Sequence, residues 1–312
     1  MNGTFSSRRK SAIAVAVAVA AAAGGVAGTA IPAAAAGRHA EKPARTTVLV
    51  ASLRGANEVR VKGGPAVGDK DGAALEFIKV KGNTVSVAAT WRGTGRPTLL
   101  HIHQGAKGAN GDVRIDLTKA LDHIRGHSVT GSVKVNDSAL LRHLANDPGA
   151  FYANLHTRAF PGGALRGQLH RVTTATGKKL AGFQVSVVTG KQIYECNKST
   201  GSYAFVQRDV SALLGDGIRH SFAKPNSGVP QWVARDRSAV TGKLLSKTPN
   251  GTGNIPELDL KATQSGRSHG LLAHTGEVLR LNTVGGVAPT GSCVPGTITA
   301  VPYHADYVFV QR

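Results

Sequence analysis

The chain has 312 residues and a formal net charge of +20, with 39 glycines and only 5% aromatic residues. This length is enough for two ordinary domains, and abundant glycine with few aromatics is typical of short strands joined by turns. The basic residues are spread over both halves without an aromatic cluster, which argues against specific nucleic-acid binding. Diffuse positive charge fits attraction to an anionic cell-wall or cell-surface polymer, although solubility alone would also explain it.

The N-terminus has the pattern of an export signal. Basic residues at 8–10 precede an apolar stretch at 12–23, and the alanines at 33–36 offer a small-residue cleavage site. We therefore predict a signal peptide over 1–36, a disordered arm over 37–48, and a secreted or cell-wall-associated protein. Glycines interrupt the alanine-rich stretch, so we predict no stable transmembrane anchor. The general secretion and twin-arginine routes both remain open.

Next along the chain, residues 49–172 have the pattern of a β-sandwich. Alternating apolar residues and turn signals predict strands over 46–53, 73–81, 84–91, 99–104, 113–117, 129–135, 151–156 and 163–172. One short helix is predicted over 137–145, with Asp137 as its cap. Regular short strands between turns favour an immunoglobulin-like sandwich.

A polar linker is predicted over 173–180, followed by a second mainly-β domain over 181–312. Its predicted strands are 181–188, 192–196, 202–207, 231–234, 239–245, 258–262, 278–282 and 304–310. Residues 210–214 are interpreted as a helical turn and 215–230 as a loop. The whole chain is therefore predicted to be all-β, or mainly β.

The chain has two cysteines, Cys196 and Cys293. An even count in an exported chain predicts a disulfide. It would close a loop of about 97 residues and stabilise the fold by roughly 4 to 5 kcal/mol. A Cys/His metal site is the alternative, although no C-x-x-C spacing is present.

The sharpest chemical pattern is the run His101-Ile102-His103. Residues two apart in a strand share a face, so both imidazoles point the same way. His156 lies in another predicted strand and could meet them, which predicts a single copper or zinc site with neutral imidazole ligands. Glu58 is the candidate that orients these rings. The alternative is a buried polar network that includes Asn154.

Four stretches of the first half carry a family resemblance, namely 53–59, 101–105, 152–157 and 161–169. Together they resemble the CHRD domain, named after chordin and also found in secreted bacterial proteins. The pattern is similar to that of copper/zinc superoxide dismutases, in which an H-x-H strand precedes a later histidine and an arginine. Here these are His101, His103, His156 and Arg166. The other zinc-loop and bridging histidines have no counterpart, so the resemblance implies a single-ion site rather than two-metal chemistry.

Arg166 has two interpretations. It could pair with Glu58 or Asn57 and connect two edges of the sandwich, or it could attract anions as the dismutase arginine does. We favour the first interpretation.

The second half resembles a domain of unknown function, number three-four-five-five, of secreted bacterial and fungal proteins. The matching stretches are 192–196, 230–232, 279–283, 285–289, Cys293 and 303–307. The resemblance implies no activity and agrees with the disulfide. Trp232 is interpreted as a core residue rather than a sugar-stacking platform. A hydrolytic site could involve residues of this half, but no spacing indicates one; the notable residues are Glu195, His220, His269, His274 and Asp306.

These observations predict an exported, non-enzymatic binding or surface-associated protein with a metal site in its first domain. One alternative is a secreted redox metalloenzyme that uses the same three histidines. The other is a carbohydrate or cell-wall polymer binder that uses the second domain. No catalytic residue is assigned.

Overall fold

The computed structural model describes residues 13–15, 46–174, 180–199 and 201–312. The predicted signal peptide, 1–36, lies outside these residues apart from strand β1 (Ile13–Val15), which pairs antiparallel with residues 182–184. The predicted arm, 37–48, is described only from residue 46 onward. No helix in the described part of the chain is long and apolar enough to cross a bilayer.

Nine strands and one α-helix form the first half. The strands are β2 (Thr47–Arg54), β3 (Ala73–Lys81), β4 (Thr84–Arg92), β5 (Pro97–Gln104), β6 (Val113–Asp116), β7 (Ser128–Lys134), β8 (Phe151–Thr157), β9 (Leu165–Gln168) and β10 (His170–Val172). Helix α1 (Ser138–Asn146) follows β7, and the Asp137 carboxylate accepts a hydrogen bond from the Leu140 amide at 2.8 Å. The predicted helix cap is therefore confirmed.

These strands form a sheet that folds over on its own apolar face. The strand order is β6-β5-β8-β9-β2-β3-β4-β7, and β10 pairs with β2. Strands β9 and β2 meet at a single residue pair, Arg166 with Arg54. Apolar side chains from both arms of the sheet, such as Leu49 on β2 and Ile102 on β5, share one core. This is the sandwich-like arrangement predicted from the short strands.

The second half is a closed antiparallel sheet. Its strands are β11 (Gly182–Ser199), β12 (Ser202–Leu214), β13 (Arg219–Phe222), β14 (Pro230–Val233), β15 (Ala239–Thr248), β16 (Glu257–Gln264), β17 (Thr275–Gly285) and β18 (Ile298–Gln311). Each pairs with the next in chain order, and β18 also pairs with β11. The core inside this sheet includes Phe183, Trp232, Tyr307 and Phe309. The mainly-β prediction is confirmed for this half as well.

The helical turn predicted over 210–214 is wrong, because these residues belong to β12. Val210 and Leu214 are both buried and four residues apart. A spacing of four places two side chains on one face in a strand as well as in a helix, so the spacing alone cannot decide. Pairing with β11 decides in favour of the strand. Similarly, the loop predicted over 215–230 contains β13.

Cys196 and Cys293 form a disulfide, as predicted. The bond joins β11 to the irregular segment before β18, two positions that are 97 residues apart in the sequence. Because both sulfur atoms are used in this bond, the alternative of a Cys/His metal site is excluded.

The two halves meet over a buried apolar surface. Val50 and Phe77 of the first half pack in one cluster with Leu281 and Val308 of the second half. Burial of large apolar side chains on both sides of a junction gives a firm contact. The junction therefore fixes the first half on the second.

Polar contacts surround this surface. The Arg54 guanidinium forms an ion pair with the buried Asp306 carboxylate. In the predicted linker, the amides of Thr173 and Thr174 donate to the Glu277 carboxylate at 3.0 and 2.7 Å. Linker residues 175–179 lie outside the described residues.

Candidate metal centre

Strand periodicity places the three predicted histidines on one face. In β5, Leu100 and Ile102 point into the sandwich core, so His101 and His103 point to the opposite face. Strand β8 pairs antiparallel with β5, and its residue His156 lies opposite Leu99. The structure brings the three side chains together on the outer face of this part of the sheet.

One ring nitrogen from each histidine faces a common point. The three nitrogens lie within 4.8 Å of one another. The ring centroid of His101 is 5.6 Å from that of His103 and 5.1 Å from that of His156. Among the described residues, this is the one group of histidine, cysteine or acidic side chains with the geometry to hold a metal ion.

The partners of the other nitrogens fix the tautomers. The Nδ1 atoms of His103 and His156 lie 2.9 Å from the main-chain oxygens of Gly111 and Pro161, respectively. A carbonyl oxygen only accepts, so both Nδ1 atoms carry the proton and both Nε2 atoms carry a lone pair. The His101 Nε2 atom lies 3.7 Å from the Asp116 carboxylate, which leaves Nδ1 of His101 for the common point.

The three inward nitrogens have no hydrogen-bond partner and are shielded from solvent. They are Nδ1 of His101, Nε2 of His103 and Nε2 of His156. A buried polar atom without a partner costs about 1–3 kcal/mol. The alternative interpretation was a polar network in which every imidazole nitrogen has a hydrogen-bond partner. Three unpartnered nitrogens at one point do not fit that interpretation.

All three imidazoles are neutral at pH 7. Burial lowers the pKa of each of the three rings, and for His101 it does so to about 4. The nearby histidines lower the pKa of His101 further, because a second positive charge would repel the first. Neutral imidazole is the form that ligates a metal.

The chemistry of this donor set fits copper or zinc. Three neutral nitrogens suit either ion, and metal–nitrogen bonds are about 2.0–2.1 Å long. Two nitrogens on one tetrahedral ion are therefore about 3.4 Å apart. The three nitrogens here lie within 4.8 Å of one another, so binding needs the most distant pair to approach by up to about 1.4 Å. Main-chain oxygens that fix the second ring nitrogen are typical of metal-ligating histidines.

Glu58 does not orient the histidines, contrary to the sequence prediction. Its carboxylate accepts from the Asn154 amide at 2.7 Å, and burial raises the pKa of Glu58 to about 7. The main-chain oxygens of Gly111 and Pro161 take the predicted role for His103 and His156. Main-chain acceptors carry no side-chain signal, which is why no pattern in the sequence indicated them.

Arg166 lies on the same sheet face and is buried. Its guanidinium donates to the main-chain oxygens of Ala106 and Ala109, at 3.0 and 2.7 Å, and to the Asn110 side chain at 3.1 Å. The predicted pairing with Asn57 exists in another form, because the Asn57 amide donates to the Arg166 main-chain oxygen at 3.0 Å. Since Arg166 uses its donors within the protein, its geometry favours the structural interpretation over anion attraction.

Tyr152 is a site residue that the sequence interpretation missed. Its ring stacks on His103, with centroids 4.8 Å apart and planes 8° from parallel. The Arg166 guanidinium lies over the tyrosine ring, 3.5 Å from its centroid. The signal was available in the sequence, because Tyr152 and His156 are an even number of residues apart in one strand and share a face.

Comparison with known families agrees with this division of the chain. Residues 49–169 match the model of the CHRD domain. Residues 216–311 match a model described as a protein of unknown function, DUF3455. Both predicted resemblances are thereby confirmed over these residues. No curated protein and no solved structure matches the chain.

The CHRD match contains the complete histidine group. His101, His103 and His156 lie within it, as do the two main-chain acceptors, Gly111 and Pro161. The DUF3455 match begins after β12, so Cys293 lies within it whereas Cys196 precedes it.

The polar residues singled out in the second half do not form one site. Trp232 is 1% exposed and stacks on His220, so its face is not available to a sugar. Asp306 bonds to Arg54 at the junction, whereas Glu195 pairs with Arg208 at 2.6 Å. The interpretation of Trp232 as a core residue is confirmed.

Proposed function

We propose that this chain is an exported, non-enzymatic protein whose CHRD domain binds one copper or zinc ion. The ligands are His101 Nδ1, His103 Nε2 and His156 Nε2. The observation that carries the proposal is the convergence of three buried, unpartnered lone pairs. A bound cation would accept all three lone pairs at once, and neutral imidazole nitrogens suit copper and zinc.

Solvent shielding favours stable binding over turnover. All three ligand nitrogens are shielded from solvent, which disfavours the approach of a substrate to them. Catalytic zinc sites keep one position open to water or substrate. The second candidate, a redox metalloenzyme, is favoured by the three-ligand set alone, since it leaves one position of a tetrahedral ion free.

An extracellular location is part of the proposal. The disulfide between Cys196 and Cys293 is typical of oxidising compartments, and the N-terminal sequence has the pattern of an export signal. The formal charge of +20 includes three basic residues at 8–10, so +17 remains after removal of the predicted signal peptide, and this charge supports association with an anionic wall or surface polymer. Retention of the mature chain on purified wall material should fall as salt is raised, because salt screens diffuse charge. Retention that is unchanged by salt would contradict the proposed association through charge.

Metal analysis of the full mature chain, purified without an affinity tag, tests the metal site. The test variant is His101→Ala/His103→Ala. Its matched control is His123→Ala/His127→Ala, which removes two exposed histidines of the same domain. We expect near-stoichiometric copper or zinc in the wild type and control, and none in the test variant.

Absence of metal in the wild type after reconstitution with both ions would refute the proposal. Rapid superoxide consumption by a copper-loaded wild type, lost in the test variant, would favour the redox enzyme instead.

A further inference from the structure

The segment Gly105–Gly111 connects β5 to β6 and is here called the histidine loop. The main-chain oxygen of its last residue, Gly111, accepts a hydrogen bond from His103 Nδ1 at 2.9 Å. The Gly111 amide also donates to the Tyr152 hydroxyl at 3.3 Å, and the Tyr152 ring stacks on His103. The position of this loop therefore determines where His103 directs its free nitrogen.

The first domain holds the histidine loop from one side. The Arg166 guanidinium binds Ala106, Ala109 and Asn110 of the loop and lies over the Tyr152 ring. One buried cation thus contacts both the loop and the ring that packs on a candidate ligand. Such contacts orient a ligand without touching the metal.

The second domain holds the loop from the other side. The Lys107 ammonium donates to the Asn250 side chain and to the Glu257 carboxylate, the latter at 3.3 Å. The Glu257 side chain is only 7% exposed and also accepts a hydrogen bond from the main-chain amide of Asn282 at 2.9 Å. Asn250 is fixed in turn, because its amide donates to the Thr283 main-chain oxygen at 2.8 Å.

Polar side-chain contacts, rather than apolar packing, connect the histidine loop to the second domain. A cavity of about 210 Å³ separates the two domains here, with Gly108 and Arg166 on one side and Glu257 and Asn282 on the other. Lys107 crosses beside it with its side chain 49% exposed, whereas the acceptor Glu257 is buried.

A second contact ties the Arg166 strand to the same region. The Asn57 side-chain amide donates to the Arg166 main-chain oxygen at 3.0 Å and to the Asn282 side chain at 2.9 Å. Asn282 has a φ of 52°, a left-handed conformation that asparagine adopts more readily than most residues. The side-chain amide of Asn282 donates to the Asp306 carboxylate at 2.9 Å. The histidine loop and the strand that carries Arg166 both orient His103, and both are therefore held by contacts with the second domain.

We infer that the second domain sets the metal affinity of the first-domain site by holding the histidine loop through Lys107, Glu257 and Asn250. The inference rests on the proposed metal site and assigns Lys107 as a positioning residue. When the loop is held, His103 is already oriented before the ion arrives. When it is free, binding must also order the loop, which weakens affinity.

Titration of the full mature chain with Cu²⁺ or Zn²⁺ against a competing chelator tests this inference. Lys107→Ala should raise the dissociation constant by about 3- to 10-fold, less than the loss expected when a direct partner of a ligand is removed. Glu257→Gln should act in the same direction. Lys107→Arg keeps the cation and should restore affinity to near the wild-type value.

Lys134→Ala is the matched control. Lys134 also donates to two side chains, Asn83 and Thr84, but within the first domain and away from the loop. The thermal midpoints of metal-free Lys107→Ala and Lys134→Ala should be similar. Hydrogen exchange should become faster in the histidine loop of Lys107→Ala only.

The outcomes separate the two proposals. A wild type that binds neither ion refutes the metal site and the inference together. A wild type that binds metal, with an unchanged dissociation constant in Lys107→Ala, refutes the inference alone. An equal loss of affinity in Lys134→Ala also overturns it, because the effect would then be general.

Discussion

Both halves of this chain contain buried or half-buried histidines, in two different environments. In the second half, His220 lies in the core, with its ring parallel to Trp232 at 4.7 Å and its Nδ1 donating to the Gln231 main-chain oxygen at 2.9 Å. In the first half, His101, His103 and His156 lie on the outer face of a sheet and direct one nitrogen each to a common point.

A low pKa does not distinguish these environments. Burial lowers the pKa of His220 to about 3 and that of His101 to about 4, so both are neutral at pH 7. The difference lies in number and direction, since three unpartnered nitrogens converge in the first half whereas His220 packs alone against aromatic rings. Convergence of lone pairs, not neutrality, is what indicates a metal site.

The largest effect should come from removing one converging nitrogen. His156→Ala should lose bound copper or zinc almost completely, because two imidazoles hold an ion far more weakly than three. His220→Phe keeps a ring against Trp232 and should retain the metal. Elemental analysis of both variants measures the bound metal, and loss of metal from His220→Phe as well would contradict the distinction between the two environments.

Trp232→Ala should reveal the structural role of the second environment. Removing a tryptophan that is 1% exposed leaves a large cavity, and the free energy of unfolding should fall by about 3–5 kcal/mol. Urea denaturation measures this loss. The free energy of unfolding should fall clearly less in Trp232→Phe, and both variants should keep their metal. A Trp232→Ala protein of wild-type stability would contradict the core assignment.

Tyr152→Phe should produce a smaller effect in the first environment. The variant keeps the ring stacked on His103 but loses the hydroxyl contact with Gly111. A single hydrogen bond contributes about 0.5–1.5 kcal/mol, so urea denaturation should show a loss of that size. Tyr152→Leu, which also removes the stack, should weaken metal binding more than Tyr152→Phe does. Equal binding in both variants would show that the stack does not orient His103.

The smallest effect should be in the pH dependence of the metal-free protein. Folded His101 stays neutral down to a pH of about 4, whereas the unfolded chain takes up the proton near 6.5. Between these values the unfolded state binds more protons, so the free energy of unfolding falls as the pH falls. His101→Gln should reduce this slope relative to the wild type. Urea midpoints across this pH range measure it, and identical slopes for the variant and the wild type would contradict the shift.

Local pattern predicted much of the first domain. Alternation in the run that includes His101 and His103 predicted a strand and a shared face, and both follow from the two-residue repeat of a strand. The cap at Asp137 and the pairing of Cys196 with Cys293 were also predictable, because each depends on residue type and few alternatives.

Long-range contacts decided the rest. The interpretation of 210–214 as a helical turn failed because a spacing of four fits both structures and only pairing with β11 separates them. The role assigned to Glu58 went to main-chain oxygens of Gly111 and Pro161, which no side-chain pattern can indicate.

Residue type and periodicity were enough to predict most of the strands, the disulfide and the three histidines that could share an ion. Contacts made on folding show which ring nitrogen of each histidine is free, that Tyr152 stacks on His103 and Arg166 on Tyr152, and that Lys107 reaches the second domain. Periodicity fixes only the face on which a side chain lies. Its hydrogen-bond partners come from segments far away in the sequence, and these are set only when the chain has folded.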